Sequence, residues 1–151
     1  MAKEIRDKSD VVCNFYQSAE DSDPRELSPE KKNLMVFDDL LLEKQNTCES
    51  YYVRGRHNNV DCFYFAPNYF KLPRQTIREN ANFICLFPQD LKNLNNIFDD
   101  HVGSDMTKEE FRQLCKTVLE KHGFLIIDLT SKTTTANIEV GLTSLHSKLN
   151  L

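Results

Sequence analysis

Four short runs of apolar residues predict β-strands along the chain. They occupy positions 34–37, 60–66, 82–87 and 124–130. Within each run apolar residues follow one another with little alternation, which is typical of strands that are covered on both faces. Proline cannot donate a hydrogen bond to a sheet, so Pro67 and Pro88 should end the second and third strands.

The segments between these runs predict helices. The first helix is expected over 47–56, and Gly55 offers it a stop. A second, of two turns, is expected over 73–80, because Pro73 suits the first position of a helix.

Two further helices have sequence signals at their starts. Asp90 is placed to cap a helix over 91–102. Thr107 and Glu110 form a capping box ahead of the last helix. Its apolar stripe should comprise Phe111, Leu114, Val118 and Leu119.

The two ends of the chain give weaker patterns. Residues 11–16 are apolar enough to predict a strand or a short helix, and the acidic, proline-containing segment 17–32 predicts a loop. Residues 131–151 are polar and rich in threonine and serine, so we expect a loosely held tail. These patterns divide the chain into segments 1–32, 33–130 and 131–151.

Buried strands separated by helices are typical of an α/β fold with a mainly parallel sheet flanked by helices. A chain of 151 residues is long enough for one such domain with its own core. The sequence therefore predicts a single α/β domain.

Composition excludes several classes of protein. The net charge of -4 argues against nucleic-acid binding through bulk electrostatics. No apolar stretch approaches the roughly 18 residues that span a bilayer, and the N-terminus lacks the apolar core of a signal peptide. We therefore expect an intracellular protein of the cytoplasm or nucleus without a membrane partner. The five cysteines are widely spaced and form no CxxC pair, which indicates reduced thiols and no zinc site.

Asp38 and Asp39 directly follow the first apolar run. A strand of a parallel sheet that ends in two acids places both carboxylates at the edge where such sheets bind ligands. In P-loop nucleotide hydrolases the first acid holds magnesium and the next can polarise the attacking water. Without further signals, an ordinary acidic loop after a buried strand is the favoured explanation of the pair.

The phosphate-binding half of such a site has no counterpart in the sequence. A P-loop needs glycines, a lysine and a hydroxyl in the order GxxxxGK[ST]. None of the four glycines begins such a pattern. The dinucleotide-binding pattern GxGxxG is absent as well.

Two basic segments are candidates for binding. Arg54 and Arg56 could reach the γ-phosphate on a neighbouring subunit, although by themselves they favour surface ion pairs or the positive end of a helix. Arg74 and Arg78 lie among aromatic residues, an arrangement that can grip nucleic acid. A helix that buries Ile77 and exposes both arginines is the simpler interpretation.

Taken together, the segments KKNLMVFDDLLLEKQ, YYVRGRHNNVDCFYFAPNYFKLPRQTIRENANFICLF and HGFLIIDLTSK resemble the C-terminal part of viral-type DNA-packaging ATPases. These enzymes belong to the FtsK–HerA superfamily and occur in large DNA viruses and in the virus-like transposons called Polintons or Mavericks. The resemblance covers residues 31–132. It implies an additional-strand P-loop core, Asp38 as the magnesium ligand, Asp39 as a Walker B-type catalytic acid, and Arg54 or Arg56 as an arginine finger.

The chain departs from this family in two places. The Walker A strand and loop that precede this region in the family are missing, and Pro67 stands where the family has a polar sensor residue. We therefore expect a truncated or degenerate packaging-ATPase domain that does not hydrolyse ATP alone and requires no cofactor as it stands. An upstream Walker A region would complete a Mg-ATP site, so an incomplete piece of an active ATPase remains an alternative.

A partner-binding role is the third interpretation. In the family the missing strand lies beside the sensor strand, here 60–66, so this strand should have an open edge. Self-association or binding of another protein through that edge is expected, whereas DNA is implied as a partner only by the resemblance.

Overall fold

A computed structural model describes residues 11–103, 106–119, 123–130 and 137–142. The chain divides into two compact units, Met1–Phe65 and Ala66–Leu151. We describe each unit by itself. The α/β class predicted from the sequence is confirmed, while the segment boundaries at residues 32 and 130 stay predictions.

The first unit contains a parallel pair of strands joined by a helix. Strand β1 spans Asn33–Asp38, helix α1 spans Asn46–Arg54, and strand β2 spans Val60–Phe65. The register aligns Asn33 with Val60 and Asp38 with Phe65. Both predicted strands and the predicted helix are therefore confirmed, with ends that differ by at most two residues.

Helix α1 covers one face of this pair. Phe37 of β1 and Tyr51 of α1 are buried and meet edge to face, with ring centroids 5.4 Å apart. Cys48 is fully buried in the same helix. A short 3-10 turn, Gly55–Asn58, follows α1, and Asn59 in the left-handed region (φ 53°) leads the chain into β2.

Within the first unit, no described residue packs over the other face of the pair. Burial alternates along both strands, and the side chains of Leu34, Val36, Phe63 and Phe65 are exposed. The expectation that both faces would be covered is wrong for β1 and β2. A continuous apolar run shows only that both faces of a strand are suited to burial. Whether both are buried depends on the presence of a second packing layer.

Residues 11–16 adopt no regular secondary structure, so the predicted strand or short helix is wrong there. Their hydrophobic side chains, such as Phe15, are exposed. In the predicted loop that follows, Ala19–Asp21 and Pro24–Glu26 form 3-10 turns, each capped by the side chain of the residue before it.

The second unit contains an antiparallel sheet, which corrects the prediction of a mainly parallel one. Strands β3 (Phe83–Leu86), β4 (Gly123–Asp128) and β5 (Asn137–Leu142) lie in the order β3-β4-β5, and both pairings are antiparallel. Two helices connect β3 to β4. A single helix would return the chain to the starting end of β3, whereas two bring it back to the finishing end, so β4 runs the opposite way.

These helices are α2 (Leu91–Ile97), which continues as a π-helical turn (Phe98–Val102), and α3 (Lys108–Leu119). Their predicted caps are confirmed. Asp90 accepts a hydrogen bond from the Asn93 N–H at 2.8 Å. Thr107 and Glu110 exchange backbone-to-side-chain bonds of 2.7 and 3.3 Å.

The core of this unit packs α3 and the π-helical turn against β4. Its most buried side chains are Ile97, Val102, Phe111, Leu125 and Ile127, each 0% exposed. Phe98 and Phe111 bring the two helices together, with ring centroids 5.8 Å apart. The predicted stripe of α3 therefore faces the core.

Segment 73–80 is not an α-helix. The N–H groups of Ile77 and Arg78 both donate to the carbonyl of Pro73 at 3.1 Å, and Arg78–Asn80 form a 3-10 turn. Strand β5 lies within the predicted tail, which the polar sequence gave no reason to expect. Within the described ranges, no helix has the length and apolar character needed to cross a membrane.

Candidate functional site

Asp38 and Asp39 lie where β1 ends, at the carboxyl edge of the parallel pair. Asp38 is the last residue of β1 and is aligned with Phe65. The Asp39 N–H donates to the Phe65 carbonyl at 3.1 Å, so backbone pairing continues one residue past the strand. Asp39 then turns the chain with a left-handed backbone (φ 51°). Both side chains are exposed.

This edge offers two oxygen donors from one strand. Magnesium in nucleotide sites takes one or two protein carboxylates and completes its coordination with phosphate and water, so the acid pair fits that share of a site. Among the described residues, no group of three or more His, Cys, Asp or Glu side chains is arranged to hold a metal by itself.

Arg54 and Arg56 lie at the opposite end of the pair. Arg54 ends α1 and Arg56 belongs to the following 3-10 turn, just before β2 begins beside Asn33. The length of β1 therefore separates them from Asp38, about 16 Å at 3.3 Å per residue. Both arginines are exposed. The structure does not bring them together with the acids.

The turn that carries these arginines is held by amide side chains. Asn58 Nδ2 donates to the Leu27 carbonyl at 3.0 Å, and Asn59 Nδ2 donates to the Lys31 carbonyl at 3.0 Å. Asn33 Nδ2 reaches the Asn58 carbonyl at 3.1 Å. Asn58 and Asn59 therefore have a structural role, because they hold the chain before β1 against the start of β2.

A polar cluster in the second unit was not predicted from the sequence. Arg78 Nη1 lies 2.5 Å from Asp100 Oδ2, and the Tyr69 hydroxyl donates to the same oxygen at 2.9 Å. His101 Nε2 lies 2.6 Å from that hydroxyl. Since the hydroxyl proton goes to the carboxylate, His101 Nε2 must be the donor in the second contact.

Burial governs the chemistry of this cluster. It raises the pKa of Tyr69, helped by the hydrogen bond to Asp100, and lowers the pKa of His101. Arg78 is 8% exposed and lies over the rings of Tyr69 and Phe70, 5.0 and 5.7 Å from their centroids. At neutral pH the cluster thus holds one buried ion pair, a protonated phenol and a neutral imidazole.

These contacts revise the interpretation of the basic, aromatic segment. Ile77 is buried as expected, but of the two arginines only Arg74 is exposed. Arg78 is committed to Asp100 and is not available to a phosphate backbone. In the sequence, the only local signs of this cluster are Asp100 and His101 at the end of a predicted helix. Their partners, Tyr69 and Arg78, lie more than 20 residues away along the chain.

A shallow groove lies between α2 and α3 in the second unit. It has a volume of about 430 Å³ and an apolar lining that includes Leu91, Leu94, Cys115 and Leu119. Arg112 and Lys116 also line it. Arg112 is held by Asn95, whose Oδ1 accepts bonds of 2.8 and 3.1 Å from the guanidinium.

The thiols are unreactive where they are buried. Desolvation raises the pKa of Cys48, Cys62 and Cys115 to about 11. These groups remain protonated at neutral pH, and nucleophilic catalysis requires the thiolate. All five cysteines are free, and of these Cys48 and Cys115 are buried while Cys85 is exposed.

Comparison with known proteins gives no relative. No protein-family model, no curated protein and no solved structure matches the chain.

Proposed function

We propose that this chain is a DNA-packaging-ATPase-like domain of a virus-like mobile element that does not hydrolyse ATP by itself. The observation that carries the proposal is the parallel β1–α1–β2 unit with Asp38 and Asp39 at its carboxyl edge. This is the arrangement in which the resembled family holds magnesium and activates water. Asp38 takes the metal-binding role and Asp39 the catalytic one.

The lack of autonomous hydrolysis follows from the phosphate side of the site. Two adjacent carboxylates repel a triphosphate unless magnesium and backbone N–H donors offset the charge. The sequence provides no GxxxxGK[ST] loop for that purpose. Magnesium and ATP therefore bind only when a Walker A region is supplied, and Arg54 or Arg56 then acts on the nucleotide of a neighbouring subunit.

The test supplies a phosphate-binding region. We would fuse the Walker A strand and loop of a packaging ATPase ahead of the chain and measure Mg-ATP binding by calorimetry. The fusion should bind, and the Asp38→Asn, Asp39→Asn double variant of it should lose most of that binding. Asp61→Asn is the matched control, because Asp61 is exposed at the other end of the strand pair and should have no effect.

The unfused chain is the second arm of the experiment. It should bind no Mg-ATP. Hydrolysis of ATP by the unfused chain would refute the proposal. A folded fusion whose Mg-ATP binding does not depend on Asp38 and Asp39 would refute it as well.

A non-catalytic interaction module is the second candidate, favoured by the free outer edge of β2. Within the described residues β2 pairs with β1 alone, and a free strand edge can accept a strand of another chain. Such a complex should form equally well with and without magnesium and nucleotide, as a pull-down with a strand peptide would show.

A further inference from the structure

The segment that leads into β1 carries a serine followed by a proline. Ser28 and Pro29 are both exposed, as are the three residues after them, up to Lys32. Of the five prolines in the sequence, Pro29 is the one that follows a residue with a hydroxyl group. The segment 28–32 is therefore a surface loop with a Ser-Pro step at its start.

Ser28 begins a tight turn. The Lys31 N–H donates to the Ser28 carbonyl at 3.3 Å. Pro29 occupies the second position of this turn, which its fixed backbone angle suits. Leu27, just before the serine, has an extended backbone (φ -82°, ψ 135°). The loop thus enters the turn from an extended residue, with the serine at its first corner.

Asparagine side chains hold this loop by its backbone. Asn33 Nδ2 donates to the carbonyls of Ser28 and Lys31 at 2.9 and 3.0 Å, and Asn59 Nδ2 donates to the Lys31 carbonyl at 3.0 Å. Each of these bonds ends on a main-chain oxygen and none involves the Ser28 hydroxyl. The loop therefore has a defined position while its side chains remain at the surface.

The residue types in the loop favour one kind of recognition. Proline has no N–H, so an enzyme cleft without a hydrogen-bond acceptor after the serine leaves any other residue's N–H unsatisfied and selects proline. An acidic group farther along the same cleft attracts Lys31. Ser28, Pro29 and Lys31 thus supply a reactive hydroxyl, a selective neighbour and a positive charge within four exposed residues.

We propose that Ser28 is a phosphorylation site for a proline-directed serine/threonine kinase. The Ser28 Oγ attacks the γ-phosphorus of Mg-ATP bound to that kinase, and the bond from this phosphorus to the bridging oxygen of ADP breaks. The hydroxyl proton passes to the catalytic aspartate of the kinase. Because the kinase supplies the nucleotide site, the proposal does not depend on magnesium or ATP binding at Asp38 and Asp39.

The loop can open far enough to enter a kinase cleft. Kinases bind the residues around the acceptor in an extended form, so the turn must release the Lys31 N–H. That bond is long, 3.3 Å, and water can replace it at the surface. Asn33 Nδ2 also reaches the carbonyls of Lys31 and Asn58, so it keeps two acceptors when the Ser28 carbonyl moves away.

The test incubates the full chain with Mg-ATP and a purified cyclin-dependent kinase, and mass spectrometry locates the phosphate. We expect one phosphate per chain, on Ser28, and no incorporation into the Ser28→Ala variant. Ser22→Ala is the matched control. Ser22 is partly buried, its hydroxyl donates to the Ala19 carbonyl at 3.0 Å, and an aspartate follows it, so its substitution should not change the rate.

Two further variants test the recognition while the hydroxyl stays in place. Pro29→Ala should lower kcat/KM for the kinase at least about tenfold, because alanine brings an N–H that the cleft does not satisfy. Lys31→Ala should lower it by about fivefold through the lost charge contact. Lys32→Ala removes the same charge one position farther on and should have a smaller effect than Lys31→Ala.

A free peptide of residues 24–34 is the reference for access in the folded protein. The folded chain should be phosphorylated with a kcat/KM within about a hundredfold of that of the peptide, since only a local opening is required. Circular dichroism establishes that the parent and its variants are folded.

Three outcomes overturn the proposal. The first is incorporation into Ser28→Ala at the rate of the parent chain. The second is phosphorylation of Pro29→Ala as fast as that of the parent. The third is a folded chain that is modified more than about a hundredfold more slowly than the peptide, which would mean that the kinase reaches Ser28 only after unfolding.

Discussion

Arg78 and Asp100 form an ion pair within the unit Ala66–Leu151, with side chains only 9% and 16% exposed. Removing one member of such a pair leaves the other charge buried without a partner, which costs more than an exposed pair contributes. This contact joins the 3-10 turn after segment 73–77 to the π-helical turn that follows α2.

We therefore expect Asp100→Ala to lower the free energy of unfolding by about 3 kcal/mol. Asp99→Ala is the control, because Asp99 is exposed and pairs with Lys108 at 2.7 Å at the surface; it should cost less than about 1 kcal/mol. Urea unfolding followed by circular dichroism measures both. Equal losses would mean that the buried pair has no structural role.

A double substitution separates the effect of the two charges from the effect of the buried side-chain volume. Arg78→Met combined with Asp100→Leu removes both charges and keeps apolar volume, so the loss should be smaller than that of Asp100→Ala alone. A loss equal to or larger than that of Asp100→Ala would show that the unpaired charge left on Arg78 is not what makes Asp100→Ala costly.

Asp39 has a left-handed backbone conformation (φ 51°), which disfavours most side chains. Asp39→Gly should keep or slightly raise stability, whereas Asp39→Val should cost about 1 to 2 kcal/mol. Thermal unfolding measures the difference. Glycine at this position would thus remove the candidate carboxylate without harming the fold, and a destabilised Asp39→Gly variant would show that the side chain itself supports the turn.

His101 should make stability depend on pH. Burial lowers its pKa below the ordinary value of 6.5, so the unfolded chain binds more protons than the folded one below that pH. The charged or titratable groups that influence it are Tyr69, Arg74, Arg78, Glu79 and Asp100. Stability should be full above pH 6.5 and fall as the pH drops toward the folded-state pKa.

The variant His101→Gln keeps a side-chain N–H donor and cannot titrate. Its midpoint in urea should change less than that of the parent between pH 7 and pH 5. Parallel decreases in the two proteins would assign the pH dependence to other groups.

Thr107 caps α3 through its hydroxyl, which accepts from the Glu110 N–H. Thr107→Ala should lower stability by about 1 kcal/mol. Thr117→Ala in the same helix is the matched control, since the Thr117 hydroxyl only bonds the Gln113 carbonyl and alanine favours helix. Unfolding in urea compares them, and a Thr117→Ala loss as large as the Thr107→Ala loss would argue against the cap.

Features set by neighbours in sequence were predictable. The caps at Asp90 and Thr107 depend on groups three residues away, and Asp38 ends its strand because the apolar run ends there. Features set by distant partners were not. The burial of Arg78 depends on Asp100, 22 residues later, and the antiparallel direction of β4 depends on how two helices return the chain.

The acid pair and the arginines show the same limit at the candidate site. The sequence placed Asp38 and Asp39 at a strand end, where they lie, but pattern alone could not say that Arg54 and Arg56 occupy the other end. The exposure of Phe63 was equally hidden, because an apolar strand has the same sequence whether or not a second layer is present.

The one-sided pairing of β2 has a consequence for hydrogen exchange. In a strand, the N–H and C=O of one residue point to the same side and those of the next residue to the other. The carbonyls of Asn59 and Phe65 both accept bonds from the β1 segment, at 3.0 and 3.1 Å, so the odd-numbered residues of β2 face β1. The amides of Cys62 and Tyr64 point to the free edge, and rapid deuterium uptake at these two positions, between slowly exchanging neighbours, would mark that edge in solution.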